Sequence, residues 1–303
     1  MRILFFGTAG RFSAVVMQSL LDAGITFAGV VVAAPPGSGE SLAVLPPAAA
    51  PPSLLGKPMP PNVLQLAGAY GIPALAVARL AAPATLAALA ALRAEIGCVA
   101  CFARRLPPAL LEIPPLGLLN VHPSLLPALR GPEPLFWALR EGLDTTGVTI
   151  HAMDHSFDTG PIIVQEELLI PEGVSAIGLM AQAARLGGRL LVQALNLRRS
   201  ASFSHHAQPL GGSYYSLPQA SDFVLDPAWS ARRAFNFMRG TAEWAVPYPL
   251  LGSTLVLSKA LRYEPDASLA QLFSVAGAVA QVRFAQGVLW ARTDLLRSAD
   301  GAN

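Results

Sequence analysis

The sequence predicts an α/β protein: a doubly wound, mostly parallel sheet followed by a small C-terminal β-barrel. Three observations predict it. The chain opens with an apolar strand, a glycine-containing turn, an amphipathic helix and a second apolar strand, the β-turn-α-β start of such a sheet. Further apolar runs of strand length, such as residues 96–102, alternate with helical patterns. Beyond residue 250 the pattern changes to short strands split by Gly, Pro and Asp, which fits a small barrel. At 303 residues the chain exceeds a typical single domain. The expected division is residues 1–205 as the first domain and 206–303 as a helix plus the barrel.

Residues 2–6 are the first strand, ending in Gly7-Thr8-Ala9-Gly10. Residues 12–23 have helical spacing, with Val15, Val16 and Leu20 apolar and Ser13, Gln18 and Asp22 polar, and stop at Gly24. Residues 26–33 are a second buried strand. Residues 34–61 hold nine prolines and only Glu40 and Lys57 as charges, so an exposed, extended or partly disordered loop is expected. Residues 61–70 read as a helix with Pro61 in its first turn, 72–77 as a strand and 83–94 as a helix rich in Ala and Leu. Residues 96–102 are the central strand, and 117–119 lead a short buried one. Residues 132–142 form a helix whose Trp137 is expected to pack behind that strand. Two more strands follow at 147–153 and 161–170, then a long amphipathic helix at 174–197. Residues 198–218 read as a linker, 230–240 as a helix, and 250–263 with 275–296 as the barrel, short enough to lack a strand.

Composition narrows the class. The chain is 53% hydrophobic and 13% charged with a formal charge of +2, which is no strong signal for a polyanionic partner. No apolar run reaches membrane-spanning length. The opening residues are too soon broken for a signal peptide, so a cytoplasmic protein without membrane partners is expected. Cys98 and Cys101 have C-x-x-C spacing, but two thiols cannot close a tetrahedral metal site. Both are expected to be small side chains buried in the central strand.

The residues that carry chemistry lie between 116 and 170. Asn120 and His122, two apart on an extended segment, point the same way. That strand therefore delivers an amide donor and an imidazole together at its carboxyl end. Asp158-Thr159-Gly160 adds a carboxylate on a turn between two further strands. Singly, each is an ordinary loop residue. The combined run is Asn120-x-His122-Pro123-Ser124-Leu125-Leu126-Pro127, then Arg130-Gly131, Thr146-Gly147-Val148-Thr149-Ile150 and Asp158-Thr159-Gly160. It resembles the formyltransferase family that uses 10-formyltetrahydrofolate, whose members formylate methionyl-tRNA, glycinamide ribonucleotide or amino sugars.

The resemblance implies a catalytic trio of Asn120, His122 and Asp158. It implies 10-formyltetrahydrofolate as co-substrate, with no metal. The pterin is expected against the loop after the central strand, at Phe102, Ala103, Arg104 and Leu106, with Ser124 and Asp154 completing the cofactor-binding set. Arg130 lies near enough in sequence to shape the acceptor side. His151 and His155 are at no catalytic position of the family, and a surface place is expected for His155.

The acceptor amine stays open at this point. The length and the barrel, which is oligonucleotide-binding-like in related enzymes, favour methionyl-tRNA. The alternative is an amino-sugar nucleotide or another small amine. Related tRNA enzymes carry a basic insertion after the second strand, whereas residues 34–61 have Lys57 as their only cation. From residue 207 onward eight cations face seven acidic residues. Residues 134–139, Arg104 and His151 also resemble the amino-sugar branch. A non-catalytic folate-binding protein would not need all of the trio. A nicotinamide-dependent oxidoreductase, prompted by the opening β-α-β, lacks G-x-G-x-x-G.

Overall fold

The structure, a computed structural model, describes the chain apart from residues 36, 50–59, 103, 200–205 and 294–303, with backbone pairing alone described for Ser53–Leu54 and Lys57–Pro58. Its strands are β1 Arg2–Gly7, β2 Thr26–Ala33, β3 Leu42–Leu45, β4 Ser53–Leu54, β5 Lys57–Pro58, β6 Ala74–Val77, β7 Ile96–Ala100, β8 Leu118–His122, β9 Thr145–Ala152 and β10 Ile162–Leu169. Five more follow: β11 Tyr248–Pro249, β12 Val256–Glu264, β13 Phe273–Ala276, β14 Val279–Arg283 and β15 Val288–Thr293. The helices are α1 Arg11–Asp22, α2 Val63–Ala69, α3 Pro83–Ala91, α4 Pro108–Leu111, α5 Pro134–Arg140, α6 Ala176–Arg198 and α7 Ala231–Gly240.

The apolar runs become one eight-stranded sheet in the order β10-β9-β8-β7-β1-β2-β6-β3. Strands β8, β7, β1, β2 and β6 run parallel. Strands β3 and β9 run antiparallel to their neighbours. The chain builds outward from β1 through β2 and β6, then returns to lay β7 on the other side of β1. At that reversal the carboxyl ends of the strands leave a crevice, the usual ligand position in open α/β sheets. Leu4, Phe6, Val31, Leu75 and Val99 of the sheet share one buried cluster with Leu89 and Leu110 of the helices. Each such side chain contributes about 1.5–3 kcal/mol by leaving water.

The chain forms two compact units. The first is residues 1–130, 147–168 and 180–214; the second is residues 131–146, 169–179 and 215–303. They interleave, where the sequence reading expected a single cut at residue 205. The second unit holds α5, α7 and a five-stranded antiparallel sheet, β11-β12-β15-β14-β13. Among the described residues its outer strands β11 and β13 are not paired to each other, and irregularities in the β12–β15 register bend it. Phe136 lies at its centre, with ring centroids 5.2–5.5 Å from those of Phe223, Trp244 and Phe237.

Several local expectations are corrected. Residues 42–45 form the edge strand β3 inside the proline-rich stretch, because an edge position tolerates prolines at its flanks. Helix α2 starts at Val63 with Asn62 as its N-cap, so Pro61 precedes the helix instead of standing in its first turn: Asn62 Oδ1 accepts from Gln65 N, and Gln65 Oε1 accepts from Asn62 N. Cys98 is buried, whereas Cys101 lies beyond the end of β7 and is exposed, with φ +55°. Trp137 belongs to the second unit, stacked on Tyr215 at 4.4 Å with its indole N–H donating to the Ser216 carbonyl. No described helix is long and apolar enough to cross a membrane.

Candidate active site

Strand β8 runs parallel beside β7, and its alternation presents Asn120 and His122 on one face. Antiparallel pairing sets Asn120 opposite His151 and His122 opposite Thr149. The turn after β9 then carries Asp158, at φ +55°, back toward all three. Asp158 Oδ1 lies 3.6 Å from His122 Nδ1, 3.5 Å from His151 Nε2 and 3.3 Å from Asn120 Nδ2. Asn120, His122 and Asp158 thus meet in space, and His151 joins them.

The partners assign the hydrogens. His122 Nε2 is 2.9 Å from the carbonyl oxygen of Leu129, an acceptor only, so Nε2 carries a hydrogen. In the neutral ring Nδ1 then presents its lone pair toward Asp158. His151 Nδ1 faces the Ala152 carbonyl at 3.0 Å, which leaves Nε2 to accept from Asn120 Nδ2 at 3.1 Å. The Asn120 amide therefore donates to both His151 and Asp158. His122 is 4% exposed, and burial is the main force that pushes its pKa below the ordinary imidazole value. The Asp158 carboxylate and the Leu129 carbonyl pull it back up, and His151 pushes it down. A neutral His122 facing a carboxylate is a group ready to take one proton.

The other sequence-predicted residues have mixed fates. Arg104 Nη1 donates at 3.1 Å to the carbonyl of Val77, the last residue of β6. Phe102 packs edge-on against Phe6 at 5.6 Å, and the Leu106 side chain is buried in the core cluster. Any ligand contact by Leu106 thus falls to its backbone. Ala103 lies outside the described residues. Ser124 is fully buried, its hydroxyl donating to the Ala128 carbonyl at 2.7 Å, so it shapes the loop instead of facing a ligand. Asp154 holds its own turn, accepting from Ser156 N and from the Thr159 hydroxyl. Two amides of the Gly7–Gly10 turn are already engaged within the chain: Thr8 N donates to Ser13 Oγ at 3.0 Å and Gly10 N to Thr8 Oγ1 at 3.2 Å.

Sequence reasoning missed His151, buried at 1% exposure, and Gln208, whose amide donates to the Asp158 and Gly160 carbonyls at 2.7 and 2.8 Å. For His151 a signal existed, since Thr149 and His151 are alternate polar residues in an apolar strand. For Gln208 there was none, because fifty residues separate it from its partner. A cavity of about 310 Å³ opens beside Gln208, lined by Arg130, Thr159, Pro161, Gln208 and Leu210 among others.

Comparison with known proteins bears on the family and the fold. A family model described as formyl transferase matches residues 1–195. The methionyl-tRNA formyltransferase of Pelobacter propionicus is 35% identical over 252 residues, 82% of this chain and 74% of its own length. That of Synechococcus sp. strain JA-3-3Ab is 36% identical over 245 residues, 79% of this chain and 71% of its own. Among solved structures, the N-formyltransferase of Helicobacter canadensis, in complex with folinic acid and dTDP-3-aminofucose, superposes with a TM-score of 0.69. It covers 97% of this chain and 99% of its own at 16% identity, a likeness of fold.

Proposed function

Because this chain belongs to the formyl transferase family, we propose that Asn120, His122 and Asp158 move a formyl group from 10-formyltetrahydrofolate to the amino group of methionyl-tRNA. One observation carries the catalytic part. The His122 ring has Nε2 tied to the Leu129 carbonyl while Nδ1 is turned to Asp158. The acceptor follows the relatives, which are methionyl-tRNA formyltransferases matched over most of this chain.

The amine attacks the formyl carbon, forming a C–N bond and placing negative charge on the formyl oxygen. Asn120 donates to that oxyanion through Nδ2. It does so by releasing its longer bond, the 3.3 Å one to Asp158. The freed carboxylate then faces the His122 and His151 rings, just as the His122 imidazole takes the proton of the attacking amine at Nδ1. Collapse breaks the bond to N10 of tetrahydrofolate, and His122 returns the proton to that nitrogen. The products are a formamide and tetrahydrofolate, with no formyl-enzyme.

A small-molecule amine is the second reading, favoured by the charges of the second unit. Gripping tRNA requires cations that neutralise phosphates. Arg232 is paired with Asp144 and Glu172, and Arg262 with Glu264. Arg233 donates to the Arg140 carbonyl, and Arg283 to those of Leu269 and Ala270. Among the described cations beyond residue 207, that leaves Arg239, Lys259 and Arg292 with no such ion pair or carbonyl bond. Mass spectrometry of formyl transfer to methionyl-tRNA, amino-sugar nucleotides and small amines decides. Formyl-methionyl-tRNA is the expected product; indifference to tRNA with turnover of an amino-sugar nucleotide would overturn the acceptor.

A further inference from the structure

The stretch after α6 reads in sequence as a linker, yet residues 206–214 are bonded to both sides of the His122–Asp158 pair. On the Asp158 side, Gln208 Nε2 donates to the carbonyls of Asp158 and Gly160, clamping the turn at its residue of positive φ. A non-glycine residue holds that conformation only where its surroundings over-determine it. Gln208 Oε1 in turn accepts from Arg130 Nε at 3.1 Å and Nη2 at 2.6 Å, and Arg130 Nη1 reaches the Gly211 carbonyl. On the His122 side, Ser213 Oγ accepts from Leu129 N at 2.9 Å, and Ser213 O accepts from Arg130 N at 2.9 Å. Leu129 is the residue whose carbonyl holds His122 Nε2, and it too has positive φ, +58°. Between these anchors, His206 and Ile162 exchange both backbone bonds at the start of β10.

We infer that Gln208, seconded by Ser213, is a positioning residue of the transfer reaction: the strap 206–214 sets the separation of the His122 imidazole and the Asp158 carboxylate. The inference rests on reading those two as the acid–base pair. Gln208 touches neither ring nor carboxylate; it acts through the backbone of the turn. Groups facing His122 are the Asp158 carboxylate, the His151 imidazole and the Leu129 carbonyl. Loosening the turn withdraws only the first, which is an attraction for the protonated ring.

The test uses the full chain with Gln208→Leu, Gln208→Glu and Ser213→Ala. One readout is formyl-transfer kinetics; the other is His122 titration by NMR of histidine-labelled protein, its signals assigned with His122→Asn. Gln208→Leu, of similar volume, is expected to lower kcat about 10²-fold, as a misplacement near 1 Å does. KM for 10-formyltetrahydrofolate stays within about threefold, and His122 titrates at lower pH than in the wild type. Gln208→Glu still accepts from Arg130 but cannot donate to the two carbonyls when ionised, so its kcat falls comparably. Ser213→Ala loses roughly tenfold by the same criterion of order of magnitude. Unchanged kcat and unchanged His122 titration in Gln208→Leu would overturn the inference. Should that variant not fold, the same two readouts on Ser213→Ala decide. If the wild type transfers no formyl group to any amine, the proposed function fails, while the titrations still judge the strap.

Discussion

Replacing Gly160 by alanine tests whether the Asp158 turn must sit where it does. A Cβ added at Gly160 would lie 1.8 Å from the carbonyl oxygen of Ala152 and 2.9 Å from its carbon. Real Cβ atoms essentially never come within 3.0 Å, so one side has to move by more than an ångström. The end of β9 is the harder side to move. Ala152 N donates to the Pro161 carbonyl at 2.9 Å, and Met153 N to the carbonyl of Leu118, the first residue of β8, at 2.8 Å. The shift therefore falls on the turn that carries Asp158, whose contacts of 3.3–3.6 Å do not survive it. Misplacement on that scale costs on the order of 10² in rate, or about 2.7 kcal/mol of barrier. Overpacking adds a stability cost of roughly 1–3 kcal/mol. Steady-state kinetics and calorimetric folate binding, at a temperature where circular dichroism shows a folded variant, separate the two effects. The expected result is a hundredfold lower kcat with donor affinity nearly intact. A folded Gly160→Ala enzyme with kcat within threefold of wild type would refute the reasoning.

The remaining predictions concern the trio, pH and salt. Asn120→Ala should lower kcat about 10²–10³-fold, on the scale of a lost oxyanion donor, with little change in folate affinity. Adding His122→Ala should cost little more, since both serve one transition state; fully additive losses in the double variant would refute that coupling. Because burial holds the His122 pKa below the ordinary value of about 6.5, kcat/KM should rise through a lower pH and level off by neutrality. The unfolded chain then binds that proton more readily than the folded one. The His122 contribution to stability is thus complete above the unfolded pKa and lost as pH falls toward the folded one. Urea unfolding should show the stability of the wild type relative to His122→Asn declining from pH 8 to pH 5; a growing advantage in acid would contradict the burial argument. If three cations grip tRNA phosphates, raising salt from 50 to 200 mM should weaken methionyl-tRNA binding about 40-fold. A loss of 10³ or more would mean that many more cations engage.

What the sequence made legible follows from how local each cause is. Strand β7, and β1 and β2 beyond their exposed first residues, are apolar because both faces are buried, and α1 shows its apolar stripe directly. Strand β3 was hidden, since prolines on either side argue for a loop, and only the free edge of β6 accommodates Leu42–Leu45. At the site, Asn120 and His122 are two apart on one strand, so their common direction is a local fact. Asp158 reaches them only through the turn after β9, and Gln208 only through the return of the chain after α6. Ser124, an expected ligand contact, is claimed by a carbonyl four residues away, which a motif read as a string does not reveal.

Five crossings of the chain between its two units set the order in which they can be finished during synthesis. Helix α5 is made early, and its Phe136 has its aromatic partners Phe223, Phe237 and Trp244 far downstream. Phe136 precedes Phe223 by 87 residues, which at roughly 5–20 residues per second is about 4–17 s on the ribosome. Through that interval α5 stands as an unburied aromatic segment in a nascent chain whose parallel strands are already assembling. The strap 206–214 arrives late as well, so the turn bearing Asp158 waits for Gln208 before its carbonyls are held. The turn bearing Asp158 is therefore held only after the strands of the parallel sheet have been made.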